Sequence, residues 1–221
     1  MTPPPRPRGR ATPSPRRGGR PTLEQAAQLD EDVRAGAMRL FLEHGYEGTS
    51  MDAIAAAAGT TKASLYARFP SKEAVFGSVL GWAIQRSDWP MPEPDPPDLD
   101  DLEGALTAIA SSAMRRATDP AMVKLGRIAT AQAARFPDIA RRTHAVAFWP
   151  RQQLVTELLK RHAEAGAIVA DDPEILAEHF LAMVAGMPAR LASFGIVPDP
   201  SSQERRLQIA VQLFLRGLRH D

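Results

Sequence analysis

From Thr22 onward apolar residues recur at intervals of three and four. Leu29, Val33, Ala37, Leu40 and Phe41 share one face before His44-Gly45 closes the run. That spacing is the period of an amphipathic helix, and a glycine directly after it suits a C-terminal cap. In the stretch GYEGTSMDAIAAAAG, Met51, Ile54 and Ala55 make the inner face of a short second helix that Gly59 ends, with Thr49 and Asp52 at capping-box spacing. The next segment, GTTKASLYARFPSKE, sets Leu65 and Phe69 four apart on one side of a third helix. Ala63 and Ala67 fall opposite them, with Ser64 and Tyr66 on the flanks. A helix of about seven residues does not hold together alone in water. It must be docked by Leu65 and Phe69, and it then offers a small, polar, aromatic-edged outer face. Ser71 caps a fourth helix whose apolar side continues through Val75, Val79 and Trp82.

Five prolines within residues 90–97, PMPEPDPP, break any helix and mark a loop or rigid spacer. Beyond them the periodicity predicts helices over roughly 99–117, 120–134, 138–165, 173–193 and 202–219, broken at Asp119-Pro120, Pro137, Gly166, Asp172-Pro173 and Val197-Pro198. Pro150, inside the third of these, should kink or split it. No stretch alternates apolar with polar residues, so no sheet is expected. The pattern predicts an all-α chain: an arm at 1–21, a small helical domain at 22–80 and a larger one at 81–221.

Charge changes this picture only at the N-terminus. The net charge of +1 hides six arginines, Arg6, Arg8, Arg10, Arg16, Arg17 and Arg20, before residue 21, with no acid among them, so the remainder nets −5. Those 21 residues also hold seven prolines and almost nothing apolar, a composition that cannot build a core. They form either a solubilising tail or a cationic arm that lies along phosphates or enters a minor groove. Glu93, Asp95, Asp98, Asp100, Asp101 and Glu103 form an acidic run that reads as a solvated loop or as an attraction for a cationic ligand.

The chain contains no cysteine, which removes disulfides, thiolate nucleophiles and Cys-ligated metals and fits a reducing cytoplasm. No uninterrupted apolar run approaches the roughly 20 residues that span a bilayer. The five histidines are scattered singly, and there is no His-Glu-x-x-His pair, Gly-rich phosphate loop or Gly-x-Ser-x-Gly elbow. Nothing proposes an enzyme, and no metal or other cofactor is expected.

Two short helices joined by AAGTT, the second presenting small and polar side chains, describe a helix-turn-helix, whose second helix fits the major groove of B-DNA. Ala63 and Ala67 let the backbone come close, with methyl groups set toward thymine. Thr61, Lys62 and Ser64 can hydrogen-bond base edges or phosphates, and Tyr66 can offer its hydroxyl to a phosphate. Thr49, Lys72 at the start of the next helix, and Arg17 and Arg20 of the arm complete the candidate DNA contacts. The alternative is a three-helix corner with no partner.

The run LFLEHGYEGTSMDAIAAAAGTTKASLYARFPSKEAVF resembles the DNA-binding domain of the TetR family of bacterial transcriptional regulators. Phe41, Gly45-Tyr46, Thr49-Ser50, Ile54-Ala55, Ala58-Gly59, Leu65-Tyr66, Phe69 and Ser71-Lys72-Glu73 stand at that family's spacing, and the likeness covers residues 29–80. Two positions depart from it: Ala63 replaces a frequent glycine, and Arg68, in place of His or Tyr, adds a cation near the groove. Residues 81–221 are similar to the family only in helical content and length. The resemblance implies a homodimer on a double-stranded operator and a small-molecule effector pocket in the second half.

The helices at 173–193 and 202–219 have apolar faces wider than a monomer surface needs. Phe180, Met183, Met187, Leu207, Val211, Phe214 and Leu218 are the expected dimer contacts in a four-helix bundle, with Ile209, Leu213 and Leu215 as a second stripe; the alternative is deeper burial within one subunit. Trp82, Met114, Met122, Phe148 and Trp149, with Trp89, Phe136, His144 and Arg127, are candidates either for an effector pocket or for plain core. The expected function is a repressor released from its operator by an effector; an activator or an effector-independent DNA-coating protein are the alternatives. Deleting residues 1–20 is expected to weaken binding to DNA of any sequence and to flatten its salt dependence, measured by fluorescence anisotropy over a salt series. An unchanged salt slope would reduce the arm to a spacer.

Overall fold

The structure, a computed structural model, describes residues 22–85 and 97–219, the side chains of Gln85 and of residues 143–149 excepted. The expectations placed on the arm with Arg17 and Arg20, on residues 90–96, and on the side chains of Trp89, His144, Phe148 and Trp149 lie outside the described residues. Among the described residues every regular element is helical.

Thr22 opens α1 (Leu23–His44) with a reciprocal capping box to Gln25. The helix stops at Gly45, whose φ of +72° suits glycine, while its N–H still reaches the Phe41 carbonyl. The cap of α2 (Met51–Ala57) is Ser50, whose hydroxyl accepts from Ala53 N at 3.1 Å. This corrects the Thr49–Asp52 capping box. Thr49 is buried, and its hydroxyl donates backward to the Gly45 carbonyl at 2.8 Å. Thr61 caps α3 (Lys62–Arg68), and Ser71 accepts from Ala74 N at the start of α4 (Lys72–Gln85). Gly36 lets α2 close on α1, since a Cβ there would stand 3.3 Å from both the backbone and the Cβ of Ala57.

The first core joins Val33, Ala37 and Phe41 of α1 with Ile54, Leu65, Phe69, Val75, Phe76 and Val79. Phe41, Tyr46 and Phe76 meet in edge and stacked contacts with centroids 5.1–5.9 Å apart. Leu125 of α6 (Pro120–Gln132) is buried in the same core, and Met122, Ile128, Phe136 and Ile139 pack against it. The small domain is therefore sealed by residues far downstream in sequence.

The second core is built by α5 (Leu102–Thr118), the C-terminal half of α7 (Pro137–Glu164), α8 (Pro173–Leu181) and α10 (Pro200–Gly217). Aspartates at 119, 172 and 199 cap α6, α8 and α10, each followed by proline at the first helical position, where a missing N–H costs nothing. Hydrogen bonds from the Ser201 and Ser202 hydroxyls hold the Asp199 carboxyl well below the usual carboxylate range. The helix α7 runs unbroken through Pro150, which is exposed, so the expected split does not occur.

The stretch 173–193 is not one regular helix: a π-helical turn, Ala182–Gly186, separates α8 from α9 (Met187–Ser193). Pro188 supplies the reason, because it cannot donate to the carbonyl four residues back and its ring crowds that carbonyl. This stretch is long and apolar enough by composition to cross a membrane, but its inner side is packed on the second core.

The dimer assignment needs a larger correction. Phe180, Leu207, Val211, Phe214 and Leu218 are all buried in their own subunit, with Phe180 and Phe214 in ring contact at 4.8 Å. They are not surface contacts. Of the expected contacts only Met183 and Met187 stay exposed, and with them Ile175 and, from the second stripe of α10, Ile209 and Leu213.

Leu65 is fully buried although α3 has only 7 residues, so it carries the docking of that helix. Leu65→Ala is expected to cost about 2–5 kcal/mol of unfolding free energy in a urea titration; a loss below about 1 kcal/mol would mean that α3 is held by other contacts.

Candidate nucleic-acid interface

Ala58 and Gly59 turn the chain between α2 and α3, with Gly59 at φ +62° and the Thr60 N–H returning to the Ala55 carbonyl at 2.9 Å. Leu65 and Phe69 point inward, which leaves Ala63, Tyr66 and Ala67 exposed along the outside of α3 and Ser64 half-buried beside them. Tyr66 is 43% exposed. Exposed Thr61 is spent on its cap, accepting from Ser64 N at 3.1 Å. Exposed Lys62 pairs with Asp52 of α2 at 2.8 Å, and that carboxylate raises its pKa above the ordinary lysine value. The pair is largely solvated, so it contributes little and can give way to a phosphate.

Three residues read as DNA-facing belong instead to the frame behind α3. Thr49 is buried, as described. The Lys72 ammonium donates to the Tyr46 and Thr49 carbonyls at 2.8 and 3.0 Å and lies 4.3 Å from the centre of the Tyr46 ring. Arg68, expected near the groove, turns back to α1 and donates to the Ala26 carbonyl and the Asp30 carboxylate. It locks the end of α3 onto α1 and brings no net charge outward. For Thr49 and Lys72 the physical reason is that carbonyls left over at a helix end and turn attract the nearest hydroxyl or long cation; for Arg68 it is the Asp30 carboxylate on α1.

Behind this frame the second half of the chain makes direct contact. Phe136, just before α7, meets the Tyr46 ring edge-on at 5.5 Å, and Arg135 donates to Glu47 at 2.9 Å while lying over the Phe136 ring. Burial pushes the Tyr46 hydroxyl above its ordinary pKa. Sequence reading missed Glu47 and Arg135, which are 88 residues apart, and no local pattern signals such a contact.

The pocket candidates do not assemble. Trp82 donates its indole N–H to Glu31 of α1 at 2.8 Å, and Met122 packs on the first core. Met114 lies in the second core, beside a cavity of about 60 Å³ walled by Met183, Met187, Leu191 and Arg206. Arg127 donates to the Ala192 carbonyl, tying α6 to α9. Phe148 and Trp149 lie outside the described side chains; of the other three, Trp82 and Met122 pack on the first core and Met114 on the second, so these three form no single site.

Residues 33–79 match the family described as bacterial regulatory proteins of the tetR type, and residues 104–217 match the C-terminal domain of AefR-like transcriptional repressors. The chain belongs to the TetR family. The second match also corrects the expectation that residues beyond 81 share only helical content and length with that family. Among curated relatives, the HTH-type transcriptional repressor ComR of Escherichia coli strain K12 is 42% identical over 69 residues, 31% of this chain and 30% of that protein. The HTH-type transcriptional regulator AcrR of Shigella flexneri is 32% identical over 69 residues, 31% of each. The match thus spans under a third of either relative. A solved structure of the flavonoid-responsive regulator FrrA is 30% identical, with a TM-score of 0.74 over 87% of this chain and 98% of that one. A TetR-family structure from Mesorhizobium loti superposes with a TM-score of 0.73 over 88% of this chain and 98% of that one, at 24% identity. This TetR-family protein is thus a DNA-binding transcriptional regulator with a helix-turn-helix.

The two roles around α3 separate by mutation. Tyr66→Ala is expected to weaken DNA binding about tenfold or more without moving the thermal midpoint, as a lost contact of about 1.4 kcal/mol requires. Lys72→Ala is expected to lower stability by roughly 1–3 kcal/mol, because two buried carbonyls lose their donor. Equal melting of both variants, or full-strength DNA binding by Tyr66→Ala, would overturn the division.

Proposed function

We propose that this protein represses transcription by binding a two-fold operator as a homodimer in the cytoplasm, and that a small molecule releases it. The observation that carries the reading is the outer face of α3: small side chains at 63 and 67 beside an exposed tyrosine, on a helix braced from behind. Such a face fits the major groove, where close backbone approach lets short side chains reach base edges. The contact set is Thr61, Lys62, Ala63, Ser64 and Tyr66, with Arg17 and Arg20 of the arm on phosphates. Relatives described as repressors support the direction of regulation, and a flavonoid-responsive relative supports an effector. No fold feature selects an activator or an indiscriminate DNA-coating protein over this reading.

The partner surface is drawn from the residues left exposed. Residues 207 and 209 lie about 200° apart on a helical wheel, so α10 has one apolar side in its own core and another, Ile209 with Leu213, facing out. With Ile175, Met183 and Met187 it forms the band on which a second copy seats. Seating the two copies there places two α3 helices on successive turns of one face of DNA.

Selection of bound duplexes from a random pool tests the function. The expected outcome is a two-fold symmetric site preferred by roughly 10³ or more over random DNA; uniform binding would leave a DNA-coating protein. Ile209→Glu combined with Leu213→Glu is expected to give folded monomers in sedimentation velocity, whereas Phe214→Glu should unfold the subunit. A dimer that survives the double change would place the interface elsewhere.

A further inference from the structure

Between α4 and the first turns of α7, at the edge of the first core, lies a cavity of about 380 Å³. Its floor on α4 is Gly77, Ser78 and Gly81; Ile139 forms its α7 side, with Glu73 on one wall and Arg142 on the other. The two helices touch at its base, where a Cβ on Gly77 would stand 3.5 Å from Ile139. One turn higher they part, and a Cβ on Gly81 would meet nothing within 4 Å. The Ser78 hydroxyl in the floor accepts from Arg34 Nε at 2.9 Å.

The walls carry opposite charges that do not reach each other. Among the described residues neither Glu73 nor Arg142 forms a hydrogen bond or ion pair, although the neighbouring charges are mostly paired, as Arg141 is with Asp138 and Arg135 with Glu47. An open carboxylate and an open guanidinium across a flat, glycine-floored slot complement a ligand with a cationic end, an anionic end and a planar apolar body. The volume lies at the lower end of small-molecule sites, enough for one fused ring system.

We infer that this groove is a binding site for a small aromatic zwitterion, its ammonium group on Glu73, its carboxylate on Arg142 and its ring on Gly77, Gly81 and Ile139. The ligand would wedge α7 away from α4 directly above the Phe136–Tyr46 contact, where the two halves of the chain meet. That regulatory consequence rests on the effector-released reading; the binding itself does not.

Isothermal titration of the full chain with L-tryptophan, tryptamine and indole-3-propionate tests the site. Tryptophan is expected to bind once per subunit, at least tenfold tighter than either single-ended analogue. Arg142→Gln should weaken tryptophan at least tenfold and leave tryptamine unchanged; Glu73→Gln should weaken tryptophan and leave indole-3-propionate unchanged. Gly81→Leu should fill the slot and abolish binding, with an unchanged melting curve showing that the fold survives. No saturable uptake of tryptophan, equal affinity for all three probes, or undiminished binding by Arg142→Gln or Gly81→Leu would overturn the assignment. Fluorescence anisotropy on a selected operator separates the two readings. Tryptophan that binds and lowers DNA affinity, an effect lost in Gly81→Leu, supports both. Tryptophan that binds without affecting DNA supports the groove and refutes its role in release.

Discussion

The Lys72 ammonium group holds together three things that a short recognition helix cannot organise by itself. Its two bonds close the turn between α1 and α2 through the carbonyls of Tyr46 and Thr49, and its charge rests on the Tyr46 ring. Because Lys72 is also the first residue of α4, the same atom ties the start of that helix to the turn. A partly buried cation here is stable because carbonyl dipoles, an aromatic face and the Glu47 carboxylate 3.9 Å away replace its lost water. Remove it, and the turn between α1 and α2 loses its polar tie to α4, leaving apolar packing and the Trp82–Glu31 and Arg34–Ser78 hydrogen bonds between α1 and α4 to set the angle. That angle aims α3.

Most of the helical layout was legible because it rests on short-range rules. The 3.6-residue spacing of Val33, Ala37 and Phe41, the glycines at positive φ after α1 and α2, and the Asp-Pro starts of α6, α8 and α10 each signal an element boundary locally. The inward and outward faces of α3 follow from the same arithmetic. What was hidden is the destination of long polar side chains and the choice between two apolar faces. Thr49, Arg68 and Lys72 are the polar groups a DNA-binding segment is expected to display, yet leftover carbonyls and an acid on α1 claim them. On α10 both stripes are apolar, and only the folded chain shows that 207, 211, 214 and 218 turn inward. The π turn before Pro188 was hidden for another reason: proline signals trouble in a helix, but neighbouring packing decides between a break, a bend and a widened turn.

The two cores are distinct, but nothing separates them like a free linker. Leu125, Met122, Phe136 and Ile139 come from the C-terminal half of the chain and pack on the N-terminal core. In a close-packed interior such contacts do not stretch; they hold or they re-form elsewhere. A displacement of the α6–α7 junction therefore either carries the first core with it as a body or breaks the edge-on contact of Phe136 with Tyr46. The first alternative moves α3, since the Tyr46 turn, Lys72 and α4 form one braced unit; the second uncouples the two halves. Communication between the halves of this protein needs no long pathway, only the few residues where they already touch.

That rigidity bears on how a pair of subunits would read DNA. A helix apolar on opposite sides is normally interior to something, and α10 has its own core on one side and Ile209 with Leu213 on the other. If a second copy covers that side, the path from the interface to each α3 runs through the second core, through α6 and α7, and through the first core, with packed contacts at every step. The separation of the two recognition helices is then a property of side-chain packing and not of loop length. Small repacking at the groove between α4 and α7 would be multiplied by its distance from α3 into a change of that separation. The spacing of an operator's half-sites is discrete, so a shift of a few ångströms is enough to take both helices out of register together.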